Sequence, residues 1–161
     1  MRGNEYAVIF VRLPAIAYSY LSLINPRDAS TMHNDTLSIN SILLIGFGSI
    51  GQRHKRVLQT LYPMASIDVV SSHIVPTKGF FSSLEAVPDL QNYDYFVIAS
   101  QTSSHFEHFL YIDERVTDKR ILIEKPVFSE YQNVLSCRND IYVGYNLRYH
   151  DVLRELRTVL S

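Results

Sequence analysis

Ser41-Ile42-Leu43-Leu44-Ile45-Gly46-Phe47-Gly48-Ser49-Ile50-Gly51-Gln52-Arg53-His54 is the stretch that decides the fold. Ile42 to Ile45 is a short continuous apolar run, as expected of a strand buried on both faces. Gly46, Gly48 and Gly51 then form a G-x-G-x-x-G, and a helix follows, with Val57, Leu58 and Leu61 at helical spacing until Pro63 stops it. A bare glycine match is weak and reads equally as a turn without a ligand. A strand before it and a helix after it give it force. Gly46 permits the tight turn, Gly48 lets the backbone approach a pyrophosphate, and Gly51 allows close helix–strand packing. Free N–H groups at the helix start favour an anion. Phe47, Ser49 and Ile50 complete this candidate cofactor-binding loop.

Outward from the loop, strands alternate with helices. Further strands are predicted at 67–70, 95–99, 121–123 and 141–145, with a short one at Ile74-Val75. Helices are predicted at 103–115, 129–136 and 150–160, the first with Phe106, Phe109, Leu110 and Val116 on one side. A single helical turn is expected at 82–86, capped by Ser82 with Glu85 three residues on. This alternation predicts an α/β fold: a doubly wound parallel sheet, Rossmann-like, in three α/β/α layers with right-handed crossovers.

The usual companion of such a loop is an acid about 20 residues on, which holds the adenosine ribose hydroxyls. Counting from Gly51 lands on Ser71, with Ser72 and His73 beside it and Asp68 three residues earlier, inside the strand. Without a carboxylate there is no repulsion toward a 2′-phosphate, which leans the position toward NADP. The alternative is that Ser71 only caps a strand.

The composition agrees with one domain. The chain has 161 residues, 47% hydrophobic and 19% charged, enough apolar material for a core. Its formal net charge of −1 supplies none of the basic field that nucleic-acid binding needs. A single cysteine, Cys137, excludes an internal disulfide framework and a multi-thiolate metal site, and points to a reducing, cytoplasmic setting; a buried small hydrophobe is its expected role. No metal-ligand spacing is recognised.

Residues 1–40 read as an N-terminal extension. The apolar stretch 7–24 is interrupted by Arg12 and Pro14, and its longest uncharged part is too short to span a bilayer. A targeting segment, an extra strand or disordered extension, and translation starting at Met32 stay open as readings. No membrane association is expected.

Four stretches carry a family resemblance: GFGSIGQRH, VIASQTSSHFEH, ILIEKPVF and YVGYNLRYHDVLRELRTVL. With the glycine loop, a downstream His and Glu124-Lys125-Pro126 in this order, residues 41–160 resemble the N-terminal half of Gfo/Idh/MocA oxidoreductases. The resemblance implies NAD or NADP as cofactor and hydride transfer at a hydroxyl-bearing carbon of a sugar, cyclitol or sugar nucleotide. Gly46, Gly48 and Gly51 would hold the pyrophosphate, and Ser71 would face the ribose. Ser100, Gln101 and Thr102 would border the nicotinamide side, with His105 at the next helix start. Gln101 departs from the proline common there, which leaves that turn's shape open. Glu124 and Lys125 would lie close to nicotinamide and substrate, with Lys125 as the catalytic residue, orienting a hydroxyl and stabilising a developing alkoxide. A cis bond at Pro126 would aim the Lys. The plainer reading of Lys125 is a surface residue paired with Glu124. Asn146 and Arg148 match polar positions that would reach substrate; helix capping is their alternative.

The family's second domain carries most of the substrate pocket and the other catalytic partners. Residues 41–161 are therefore expected to be the cofactor half of a two-domain enzyme, ending in a bridging helix. Val152, Leu153, Leu156, Val159 and Leu160 give that helix an apolar stripe. Its expected partners are its own sheet, another copy of the chain, or a separate subunit carrying the second domain. A non-catalytic nucleotide-binding module or partner subunit is the alternative function.

Overall fold

The computed structural model describes residues 39–73, 75–132 and 137–144. Six strands form one parallel sheet: β1 (Ser41–Ile45), β2 (Ser66–Val70), β3 (Phe80–Phe81), β4 (Tyr95–Ile98), β5 (Arg120–Ile123) and β6 (Asp140–Val143). The spatial order is β3-β2-β1-β4-β5-β6. Order therefore runs outward in one direction from β1 and in the other from β4, which puts the topological switch point between these two strands.

The central strands are apolar on both faces because both faces are covered. On one side Leu43, Ile45, Phe96, Ile98, Ile121 and Ile123 pack with Phe109 and Ile112 of helix α2 (His105–Asp113). On the other, Ile42, Leu44, Val69, Tyr95 and Val97 pack with Leu58 of helix α1 (Ser49–Leu61). Such a strand has no polar face to alternate, which is why Ile42 to Ile45 reads as an unbroken run. Asp94 fixes the start of β1: its Oδ2 accepts from the backbone N–H of Asn40 and Ser41 at 2.9 and 3.1 Å.

Several local expectations are corrected. The third strand is Phe80–Phe81, paired with Val69 and Val70, and Val75 is 79% exposed. A tight turn bonds Thr77 and Phe80 to each other and returns the chain to the β2 edge, where the Phe80 ring meets Phe47 edge-on at 5.9 Å. The helical turn expected at 82–86 is a 3-10 helix over Leu84–Ala86 with Ser83, not Ser82, at its N-cap position, and a second 3-10 turn, Leu90–Asn92, follows before β4. The predicted helix 103–115 is α2 preceded by a 3-10 turn, Thr102–Ser104; Ile112 is buried and Leu110 is 36% exposed, reversing Leu110's expected side. Residues 129–132 are not helical; the rest of that predicted helix and the final helix lie outside the described residues. Cys137 is exposed, not buried.

Candidate functional site

Parallel pairing brings the carboxyl ends of all the strands to one edge of the sheet. Gly46 follows β1, Ser71 follows β2, Ser100 lies just past β4, and Glu124 follows β5. Backbone hydrogen bonds continue past the strands and hold these ends in line: Gly46 N–H to Val70 O at 2.8 Å, Ala99 N–H to Ile45 O at 2.8 Å, and Glu124 N–H to Ile98 O at 2.9 Å.

The three loop glycines answer to different demands. Gly46 has φ +95, and a Cβ there would lie 2.5 Å from Ala99 O and Ser100 N, so the β4 loop sits directly against it. A Cβ on Gly51 would run into the Gly46 carbonyl oxygen. Gly48 is different. Its φ is −68, and a Cβ would meet nothing within 4 Å. Neither backbone strain nor packing requires glycine at 48, and open space lies before it. At the same place α1 begins: Gln52 N–H makes the first helical bond, to Gly48 O, and the first turn holds no acid. The N–H groups ahead of it face outward with the positive end of the helix dipole. Open space over a glycine, backed by helix N–H donors, fits a dinucleotide pyrophosphate.

Glu124 ties this loop to the Lys125 segment. Its Oε1 lies 2.7 Å from His54 Nε2 on α1, and its Oε2 accepts from Lys125 N–H at 3.2 Å. A Cβ on Gly144 would come within 3.1 Å of the same carboxylate. Burial alone raises the Glu124 pKa. The His54 hydrogen bond and charge, with the Lys125 N–H and charge, outweigh it and hold the carboxyl below its usual range. Glu124 is thus placed as a brace, with both oxygens engaged inside the chain. Lys125 is exposed at the sheet edge, and its bond to Pro126 is cis.

His105 and His108 hold the β4 loop from α2. The His105 ring is 1% exposed and meets three carbonyl oxygens, Ser100 O at 3.0 Å, Pro126 O at 3.1 Å and Val127 O at 3.1 Å. It clamps the β4 and β5 loops together. One turn on, His108 Nδ1 lies 2.9 Å from Ser100 Oγ. Burial, and then the nearby His105, push the His108 pKa down against the pull of Glu107 and Glu85. Gln101, exposed, has φ −66, the value a proline ring imposes, so this turn keeps the shape a proline would give it. Thr102 opens the 3-10 turn that follows.

At the β2 end, Ser71 donates its N–H to Phe81 O, and its Oγ accepts from His73 N–H at 3.4 Å. Asp68 accepts from Tyr93 Oη at 2.6 Å; burial first, and this carboxylate second, push the phenol pKa far up. The strand's own acid is therefore bound elsewhere.

Glycine loop, Ser71, Ser100–Thr102 and Glu124–Lys125 thus share one edge, while Asn146 and Arg148 lie outside the described residues. The sequence assigned no role to His54 or to the Ser100–His108 pair. For His54 the signal was its place three residues after Gly51; for His108 it was the i, i+3 spacing from His105. Among the described residues no cluster of His, Cys, Asp or Glu is arranged to hold a metal ion, and no helix is long and apolar enough to cross a membrane.

The family profile described as "Oxidoreductase family, NAD-binding Rossmann fold" (Gfo/Idh/MocA) matches residues 40–138. The chain belongs to this family. Residues 40–138 match that family's NAD-binding Rossmann fold. No curated protein matches by sequence. Among solved structures, it resembles the WlbA dehydrogenase from Bordetella pertussis in complex with NADH and UDP-GlcNAcA, with TM-score 0.62 and 17% identity over 74% of this chain. It also resembles scyllo-inositol dehydrogenase from Lactobacillus casei, with TM-score 0.60 and 18% identity over 76% of this chain. Myo-inositol dehydrogenase from Lactobacillus casei, in complex with NAD(H) and myo-inositol, gives TM-score 0.53 and 19% identity over 76%. The Gfo/Idh/MocA chain described here matches 41% of the length of each of these three.

Proposed function

We propose that this chain is the cofactor half of an NAD(P)-dependent oxidoreductase acting on a hydroxyl-bearing carbon of a sugar-like substrate. The observation that carries the reading is the His54–Glu124 contact at 2.7 Å, which locks the glycine-loop helix to the strand end that presents Lys125. The substrate class is supported by the solved relatives, which act on inositols or hold a sugar nucleotide.

In this reading Gly46, Phe47, Gly48, Ser49, Ile50 and Gly51 receive the pyrophosphate, Ser71 faces the adenosine ribose, and Ser100, Gln101, Thr102 and His105 shape the nicotinamide side. A bound nicotinamide cofactor supplies or accepts the hydride. Lys125 orients the substrate oxygen and stabilises negative charge developing on it, and its ammonium can give that oxygen a proton. Glu124 positions Lys125 through the backbone bond at 3.2 Å. Asn146 and Arg148 extend the site toward substrate. The single Cys137 and the nicotinamide cofactor suit the cytoplasm. This reading calls for a substrate domain packed against the cofactor half, with a second copy of the chain or another subunit as candidate partners.

The test is titration of the purified chain with reduced nicotinamide dinucleotides, followed by turnover assays with cyclitols and sugar nucleotides. Saturable binding, with turnover lost in Lys125→Ala while binding persists, supports the reading. Absence of saturable binding removes the cofactor role, and unchanged turnover in Lys125→Ala removes the role of Lys125.

A further inference from the structure

We infer that the ribose end of this site selects a 2′-phosphorylated dinucleotide, NADP(H) over NAD(H), through Ser71, Ser72 and His73. The inference rests on the cofactor reading above and adds which dinucleotide that site takes.

The position is set by the sheet. Ser71 follows the last residue of β2, and the carbonyl of that residue, Val70, accepts from Gly46 N–H at 2.8 Å. Ser71 and the start of the glycine loop are therefore joined by one hydrogen bond across adjacent strand ends. A ligand whose pyrophosphate lies on the loop brings its adenosine ribose to this end of β2.

What is missing there matters most. NAD is selected by a carboxylate that accepts from the ribose hydroxyls, and a 2′-phosphate is repelled by the same group. No carboxylate stands at 71, 72 or 73, and none occurs in the sequence between Asp68 and Glu85. Asp68 does not substitute. Its side chain is on the α2 face of the sheet, with Oδ2 held by Tyr93 and Oδ1 3.0 Å from where a Cβ on Gly79 would be.

What is present favours a phosphate. Ser71 Oγ accepts from His73 N–H, which leaves its own proton to donate. Ser72 and His73 are exposed, so they meet an incoming anion without first being taken out of water. Lys55 adds a second basic side chain on this flank. Its ammonium rides 4.6 Å over the Phe80 ring and 5.5 Å from the ring of Phe47, inside the glycine loop. Hydroxyl donors and basic side chains without a nearby acid match a phosphate monoester, to which hydrogen bonds are charge-assisted. A neutral ribose hydroxyl gains none of that field.

The experiment is separate titration of the full chain with NADPH and NADH, read by nicotinamide fluorescence. NADPH is expected to bind at least tenfold tighter, with the advantage shrinking as salt is raised. Equal affinity, or tighter NADH, overturns the inference and leaves the cofactor reading standing. If neither saturates, the cofactor reading itself fails and takes the preference with it. Ser71→Asp is expected to weaken NADPH at least tenfold and to spare NADH. An aspartate can still accept from His73 N–H, so the turn is kept, and an unchanged thermal transition checks this.

Discussion

His54 on α1 and Glu124 after β5 meet at 2.7 Å although they lie 70 residues apart in sequence, and both are largely withdrawn from water. Removing one partner leaves the other buried without its counterpart. His54→Ala and Glu124→Gln should each destabilise the domain by about 1–3 kcal/mol. The double variant should cost less than the sum of the two. Urea unfolding of the four proteins measures the coupling, and strict additivity would refute a direct interaction.

Among the groups whose pKa is depressed, His108 and Glu124 are the most deeply placed and weigh most on the acid limb of stability. His108 has its folded pKa lowered by burial, so its contribution is full above the ordinary histidine pKa of about 6.5 and is lost as pH falls through the folded value. Glu124 is also lowered, by His54 and the Lys125 N–H against burial; its contribution is full above the ordinary glutamate pKa of about 4.3 and is lost in more acid solution. Stability should therefore decline in a stage nearer neutrality, from His108, and in a more acid one to which Glu124 contributes together with Asp94. His108→Gln should flatten the stage nearer neutrality, and Glu124→Gln the more acid one. Denaturant midpoints measured across the pH range test the assignment; a variant that leaves both stages intact contradicts it.

Gly46 and Gly48 should respond oppositely to the same added methyl group. Gly46→Ala faces a positive φ and backbone atoms at 2.5 Å, and should destabilise the fold by about 2–4 kcal/mol. Gly48→Ala has an ordinary φ and open space, and should leave stability within about 0.5 kcal/mol. In the cofactor reading, Gly48→Ala still weakens dinucleotide binding by about tenfold or more, because the methyl occupies the ligand's approach. Unfolding curves and cofactor titrations on both variants separate the two demands.

His105→Ala should cost about 2–4 kcal/mol, because it removes a buried ring, with its N–H donation, from among three carbonyl oxygens and leaves a cavity there. The β4 and β5 loops lose their common clamp, so amide exchange should quicken at Thr102–Ser104 and Val127–Phe128. Protection unchanged from wild type at those positions would rule out the clamp.

Much of the framework was legible from residue order. Unbroken apolar runs at Ile42–Ile45 and Tyr95–Ile98 mark strands covered on both faces, and each lies within a residue or two of its predicted bounds. The glycine loop was legible for the same local reason: a positive φ at Gly46 is a demand on one residue. Ile74 lies outside the described residues, and Val75 misled because β-branched residues favour a strand only where an edge is available to pair. The edge of β2 is taken by Phe80 and Phe81 after the turn at Gly79. Cys137 misled in the same way, since burial of a small apolar side chain depends on what packs over it.

By itself, then, the sequence determined a parallel α/β sheet, the glycine loop at the end of its first strand and the absence of an acid at Ser71. These are properties of short windows, governed by period, sterics and charge. Only the tertiary structure decided that Glu124 braces His54, that His105 holds two loops by three carbonyl oxygens, and that Asp68 is spent on Tyr93. Those contacts join segments far apart in the chain. A side chain's chemistry limits the partners it can take, but the sheet order and its register choose which partner comes within 3 Å.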